Sequence, residues 1–436
     1  MPAATVADDR PDLLGMTRGR LAEALAPWVD RPYRVGQVYD ALHRRGVGEF
    51  GEITGLSRAL RARLGERFRI DRPEVVERRP APDGTVKHLL RLADGATVEA
   101  VDILDDRGRH TLCLSSQAGC ALACAFCVTG YWGAGRNLSA GEIVGQVLAL
   151  RAAGGLPAAV NLVFMGMGEP LLDLGALEPA FEILAESVSP RRITVSTAGV
   201  VPGIEALARW PRRPNLAVSL HAADDALRSR IMPINRTWPL ADLMAALRRY
   251  PLEPGRRLTF EYILIRDLND GAGHADALAR LLAGLRAKVN LIPINPDPVL
   301  GAAMVPPGDA AIDAFHRRLK RHGLLSTVRR RRGLEVSAAC GQLRAFGRAP
   351  RGHAGRNLGA GYAGTTDPPG PDGGAPPPED HRPPGPDGGA PPPGHADHRP
   401  PGPDGAAPPP GHAVRTDHRP PGPDGGAPPP GHAVRL

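Results

Sequence analysis

The stretch "TLCLSSQAGCALACAFCVTG", Thr111 to Gly130, holds four of the chain's five cysteines; the fifth, Cys340, stands far downstream in "VSAACGQL". Its first residues read as a strand, and Cys120, Cys124 and Cys127 follow in a C-x3-C-x2-C loop. Iron–sulfur clusters are held by cysteine thiolates, and a complete cube takes four, so three from one loop leave an iron open for chemistry. Zinc and a redox C-x-x-C pair compete with that reading. Zinc wants a fourth ligand nearby, which "FCVTGYWGAG" does not supply, leaving Cys113 as the one candidate; a redox pair leaves the third cysteine idle. Five cysteines, an odd number with four of them clustered, argue against a secreted disulfide framework and for reduced thiols with a chemical task.

Outward from this loop the chain alternates apolar runs with helical stretches. Strands are expected at "TLCLS", "AVNLVFM" (Ala159 to Met165), "RITVST" (Arg192 to Thr197), "LAVSLHA" (Leu216 to Ala222), "LTFEYILI" (Leu258 to Ile265) and "VNLIPI" (Val289 to Ile294). Helical segments lie between them, and six strand–helix units predict an α/β fold with a parallel sheet, either open or closed into a full or partial barrel. Polar residues gather where strands end: "GMGEP" after the second, Ser196 and Thr197 at the third, "SLH" at the fourth, "NP" after the sixth. In parallel barrels active sites form at the C-terminal strand ends, so this chemistry points into one mouth.

Upstream, "RGRLAEALAPWV", "VGQVYDALHRR" and "LSRALRARLGERF" carry leucines and alanines at helical spacing, which predicts a small helical domain over 1–75. "TVKHLLRLADGATVEAVDIL" alternates and turns at Asp94-Gly95, a hairpin linking 76–109 to a catalytic domain over 110–348. Downstream, 349–436 repeats "PPGPDG(G/A)APPP" from Pro368, Pro383, Pro400 and Pro420. With almost nothing apolar to bury, it is expected to be a disordered, partly polyproline II tail without a catalytic role. The net charge of +8 is carried mainly by arginine, as in "RRLKRHGLLSTVRRRRG" from Arg317 to Gly333. Such a run suits a phosphate backbone, although charge runs commonly face solvent. The opening residues lack a basic start and an apolar run, and no segment approaches the roughly 20 apolar residues of a membrane span. A cytoplasmic protein is expected.

The cysteine loop with Phe126 before its last thiol, on the first unit of a βα barrel and followed by "GMGEP", resembles the radical S-adenosylmethionine (SAM) superfamily. Together with "GRNLSAGEIVGQV", "MGMGEPLLD", "VSTAGVVPGI", "SLHAADDALRSRIMPIN", "NLIPINP" and "SAACGQL", it resembles the RNA adenine C2-methyltransferases, the RlmN/Cfr group, from about Leu13 to Arg348. The resemblance implies a partial (β/α) barrel. It implies one 4Fe-4S cluster on Cys120, Cys124 and Cys127, whose open iron chelates SAM, and two SAM molecules per turnover. One methylates Cys340; the other, cleaved by an electron, yields a deoxyadenosyl radical that takes a hydrogen from the S-methyl group. The carbon radical adds to C2 of adenine, an electron-poor carbon that polar methyl transfer cannot reach. Cys113 matches the thiol that resolves the resulting protein–RNA link, and Glu99 matches the acceptor of the C2 proton. Gly168, Glu169, Ser196, Ser219, Leu220, His221 and Asn295 match the SAM contacts.

The implied substrates are an adenosine in large-subunit ribosomal RNA and the adenosine beside the anticodon of transfer RNA. A flavodoxin or ferredoxin is expected as electron donor, with the chain acting as a monomer away from membranes. Two other readings remain open at this level: the C8-methylating sibling, which uses the same cysteines, and a non-catalytic metal-bearing RNA-binding protein.

Overall fold

The computed structural model describes residues 8–154, 156–157, 159–329 and 332–344. The proline–glycine repeats, and the tail expected over 349–436, lie outside the described residues.

Three short helices come first: α1 (Arg18–Leu25), α2 (Tyr33–Asp40) and α3 (Arg58–Arg67). The hydroxyls of Thr17 and Ser57 accept from the backbone N–H groups of Arg20 and Leu60, capping α1 and α3. Leu21, Leu25, Val38, Leu60 and Leu64 turn inward from these helices. Four antiparallel strands follow: β1 (Glu74–Pro80), β2 (Val86–Arg91), β3 (Thr97–Leu104) and β4 (His110–Cys113).

From β4 onward every pairing is parallel. The order is α4 (Val128–Tyr131), α5 (Ala140–Ala152), β5 (Val160–Phe164), α6 (Leu174–Leu184), β6 (Ile193–Thr197) and α7 (Val201–Ala208). Then come β7 (Asn215–Ser219), α8 (Asp225–Ile231), α9 (Leu240–Arg249), β8 (Leu258–Leu264), α10 (Ala272–Leu281), β9 (Ala287–Pro293), α11 (Asp309–Arg321) and β10 (Leu325–Val328). Strands pair in chain order from β1 to β10, and among the described residues no pairing joins β10 back to β1, so the sheet is open. Apolar runs expected as strands become β4 to β9. All seven residues of β8 are buried, as expected for a strand covered on both faces.

The sheet is wider than the six expected units at both edges. β1 was hidden because "EVVERRP" carries four charged residues, and β10 because "LSTV" is four residues inside an arginine-rich run. The antiparallel edge matters for function. Across it Lys87 pairs with Val101 and Val101 with Cys113, while Glu99 sits two residues from Val101 on β3. Directly paired residues share a face and so do residues two apart, which puts Lys87, Glu99 and Cys113 on one side of the sheet.

The N-terminal helical segment is seated on α5 by close backbone approach. A Cβ added at Gly141 would come within 2.2 Å of the Asp12 carboxylate.

Candidate active site

Two adjoining cavities open at the C-terminal ends of the parallel strands. The larger encloses about 840 Å³ out to its open mouth and is lined by all three loop cysteines with Gly168, Glu169, Ser196, Ser219, His221 and Cys340. The smaller, about 550 Å³, brings Cys113 and Cys340 together with Asn295 and Leu343. Cys340 lines both, as do Arg329, Met165 and Ile292.

Each wall residue is placed by a local device. Gly168 has φ of +99°, and a Cβ there would meet Gln117 Cβ at 2.5 Å, so the turn after β5 requires glycine. Glu169 points inward because one carboxylate oxygen accepts from Leu171 N–H (3.1 Å) and the other from Ala198 N–H (2.7 Å). Burial pushes its carboxyl up to about 7, a cost that an ammonium group set against it would offset. His221 is held at φ of +60° after β7, and its Nδ1 accepts from Ile263 N–H at 3.1 Å. Burial lowers its pKa to about 3, so the ring is neutral, and with Nδ1 accepting, the proton sits on Nε2 as a donor.

The three loop thiols are raised mainly by burial, Cys120 to about 12, with the charges of neighbouring cysteines adding to the effect. A site that disfavours bare thiolates yet gathers three of them suits a cationic centre that compensates their charge. Among the described residues no three His, Cys, Asp or Glu side chains converge as a single-ion site. Three thiols from one loop fit the donor set of an iron–sulfur cluster, which Cys120, Cys124 and Cys127 would hold.

Other expected residues stand differently. Leu220 is buried and lines neither cavity; it contributes backbone, its N–H donating to Glu261 C=O at 3.0 Å. Asn295 lies in the smaller cavity, where its Nδ2 donates to Cys340 C=O at 3.2 Å and its Oδ1 is buried without a partner among the described residues. Glu99 lines neither cavity. It is fully buried, with Lys87 Nζ 2.9 Å from one oxygen and Arg344 N–H donating to the other at 2.9 Å. The Cys113 thiol is pushed up to about 12 by burial, with the Cys340 charge adding and Arg329 opposing.

The residues that hold Cys340 come from three directions. Val128 N–H donates to Gly341 C=O (2.6 Å), Thr129 Oγ1 to Leu343 C=O (2.7 Å) and Gln342 Nε2 to Pro296 C=O (3.1 Å). The segment thereby spans from the cysteine loop to the end of β9.

Three residues of this site carry no sequence expectation of their own. Arg228, fully buried on α8, donates to the carbonyls of Ala198 (2.7 Å), Ser219 (3.1 Å) and Leu220 (3.1 Å) and to Asn235 Oδ1 (2.7 Å), fastening the ends of β6 and β7. Glu261 on β8 keeps one buried oxygen unpartnered among the described residues while Asn290 donates to the other. A glutamate inside an otherwise apolar strand was the available signal. Arg329 belongs to a run expected to grip phosphate, yet it lines both cavities, while Arg318 pairs with Asp276 and Arg332 with Asp106. Replacing Arg228 by methionine is expected to remove its hydrogen bonds to four acceptors and lower stability by about 3–5 kcal/mol. A urea unfolding midpoint unchanged from the parent would contradict that role.

Comparison with known proteins accounts for both parts of the chain. Residues 114–278 match the model of the Radical SAM superfamily, and 11–70 that of the Ribosomal RNA large subunit methyltransferase N-terminal domain. The chain is 45% identical over 351 residues to the Dual-specificity RNA methyltransferase RlmN of Anaeromyxobacter dehalogenans, covering 78% of this chain and 93% of the relative. It is 47% identical over 328 residues to the protein of the same name from Syntrophobacter fumaroxidans, covering 73% and 95%. The crystal structure of a radical SAM methyltransferase from Sphaerobacter thermophilus superposes with a TM-score of 0.71 at 43% identity, over 76% of this chain and 99% of that one. With both family models matched and identity above 40% running over more than nine-tenths of these relatives' length, the chain belongs to the RlmN family of radical SAM enzymes.

Proposed function

We propose that this chain methylates C2 of adenosine in large-subunit ribosomal RNA and in transfer RNA, the dual specificity that its relatives' names carry. The observation that supports the chemistry most directly is that one thiol-bearing residue, Cys340, lines both cavities. A carrier that collects a methyl group on one side and delivers it on the other has to occupy that position.

Cys120, Cys124 and Cys127 would hold the 4Fe-4S cluster, with SAM against Gly168, Glu169, Ser196, Ser219 and His221. Asn295 would contribute from the adjoining smaller cavity, and Leu220 through its backbone. When bound, these groups supply one-electron chemistry that removes a hydrogen atom from the Cys340 methyl and recovers the electron as the RNA adduct becomes aromatic. The remaining steps belong to the chain's own residues. Cys340 attacks the SAM methyl first and is covalently attached to C2 afterwards. Glu99 accepts the proton leaving C2. Cys113 as thiolate then attacks the Cys340 sulfur: the S–S bond forms, the S–CH2 bond breaks, and the released carbon keeps the electron pair and takes a proton to become the methyl group. Each turnover oxidises two thiols, so an external dithiol has to restore them.

The domain roles follow: 1–75 as the RNA-gripping helical part, 76–109 as the connecting hairpin, 110–348 as the catalytic part and 349–436 as an appendage. The adenine is taken up unstacked at the barrel mouth. We propose a monomer in the cytoplasm, reduced by a flavodoxin or ferredoxin. Among the described residues no helix is long and apolar enough to cross a membrane.

The test is mass spectrometry of nuclease-digested ribosomal and transfer RNA after incubation with anaerobically reconstituted protein, SAM and a one-electron donor. 2-Methyladenosine is the expected product. 8-Methyladenosine would move the reaction to the other carbon, and unmodified adenosine with a full iron complement would remove the enzymatic assignment.

A further inference from the structure

Lysine and glutamate are seldom fully buried, yet Lys87 on β2 and Glu99 on β3 are 3% and 0% exposed, their charges 2.9 Å apart. Stability alone does not account for such a pair, because apolar residues of similar volume commonly serve as well or better. The surroundings supply a different reason. Lys87 Nζ also reaches Ser337 C=O at 3.3 Å, and Glu99 accepts from Arg344 N–H at 2.9 Å. Two charges from adjacent strands thus hold the segment carrying Cys340 on either side of that cysteine, on the sheet face that also bears Cys113.

We infer that Lys87 is a positioning residue for the closing steps of the reaction: it keeps Glu99 ionised as a base and ties that base to the segment bearing Cys340. This rests on Glu99 being the proton acceptor. Glu99 is faced by Lys87 from β2, by Arg79 from β1 and by the Arg344 amide from the Cys340 segment; all three favour its charged form, but burial, the largest influence, outweighs them and holds its pKa above the ordinary carboxylate value, so each partner lost raises it further. Lys87 is the charge in direct contact. Without it the balance tips toward the neutral acid, which cannot take the C2 proton. After the proton arrives, Lys87 faces an uncharged partner and favours its release, so the pair also resets the site.

The sign of the pH effect follows. Loss of Lys87 raises the Glu99 pKa, so the base is present only at higher pH, and the acid limb of turnover moves upward. In the reconstituted holoenzyme, Lys87→Met should retain iron content and Cys340 methylation, which precede proton removal. At neutral pH it should accumulate at least about ten times the parent's covalent RNA adduct, and recover turnover on raising pH by about 1–2 units. Lys87→Arg should restore the parent profile. Should Lys87→Met lose its cluster, Lys87→Gln, which keeps a donor for Ser337 without the charge, reads the same limb. Parent-level adduct and an unmoved acid limb in whichever charge-free variant holds its cluster would overturn the inference. Glu99→Gln separates the two ideas: adduct at every pH without recovery sustains Glu99 as base whatever Lys87 does. Normal turnover in that variant removes the base and, with it, the role inferred for Lys87.

Discussion

Cys113→Ala is expected to halt after one round with RNA joined to Cys340 through a methylene bridge, visible as a gel shift that survives denaturation and vanishes on nuclease digestion. Cys340→Ala is expected to lose turnover equally and form no such species. The difference follows from order. Methylation of Cys340, hydrogen removal and addition to C2 all precede the attack for which Cys113 is proposed, whereas every one of them requires the Cys340 sulfur. Both thiols line the smaller cavity, so the attack needs no long-range rearrangement. The Cys113 thiol is pushed up to about 12, chiefly by burial, so it waits as the neutral thiol. The same adduct in both variants, or in neither, would reverse or cancel the assignment.

The second large effect concerns the loop. Alanine at Cys120, Cys124 or Cys127 is expected to abolish the iron-dependent visible absorbance and lower SAM cleavage by more than about a thousandfold, the scale on which parts of one catalytic unit fail together. Burial has already raised all three thiols, so two remaining thiolates have neither the solvent nor enough bound cation to stabilise their charge. Full iron content with undiminished deoxyadenosine production in any of these variants would refute the assignment. Measuring iron separately from cleavage keeps loss of the cluster distinct from loss of SAM alone.

What could be read from the sequence was what recurs locally. Apolar runs became β4 to β9 with ends shifted by up to three residues, because burial on both faces needs little beyond an unbroken apolar stretch. C-x3-C-x2-C and "GMGEP" were legible for the same reason: their chemistry is written in consecutive residues. Contacts made at a distance were not. Arg228 stands between Leu227 and Ser229 on a short helix and looks like a solvated charge; only folding shows four acceptors closing around it. Glu99 has the spacing of a hairpin residue, where acids ordinarily meet water, and its burial depends on a lysine from the next strand and an amide from the far end of the catalytic part. Arg329 was grouped with its neighbours by composition and separated from them by topology.

Cys340 shares the boundary between the two cavities with Arg329, Met165 and Ile292. In the proposed reaction the methyl group is carried by a residue that both cavities already share, so the movement the transfer calls for is a side-chain rotation and not a domain swing. Side-chain rotations belong to the picosecond-to-nanosecond range, many orders of magnitude quicker than hinge motions. A rotation of that kind is too quick to limit the proposed cycle.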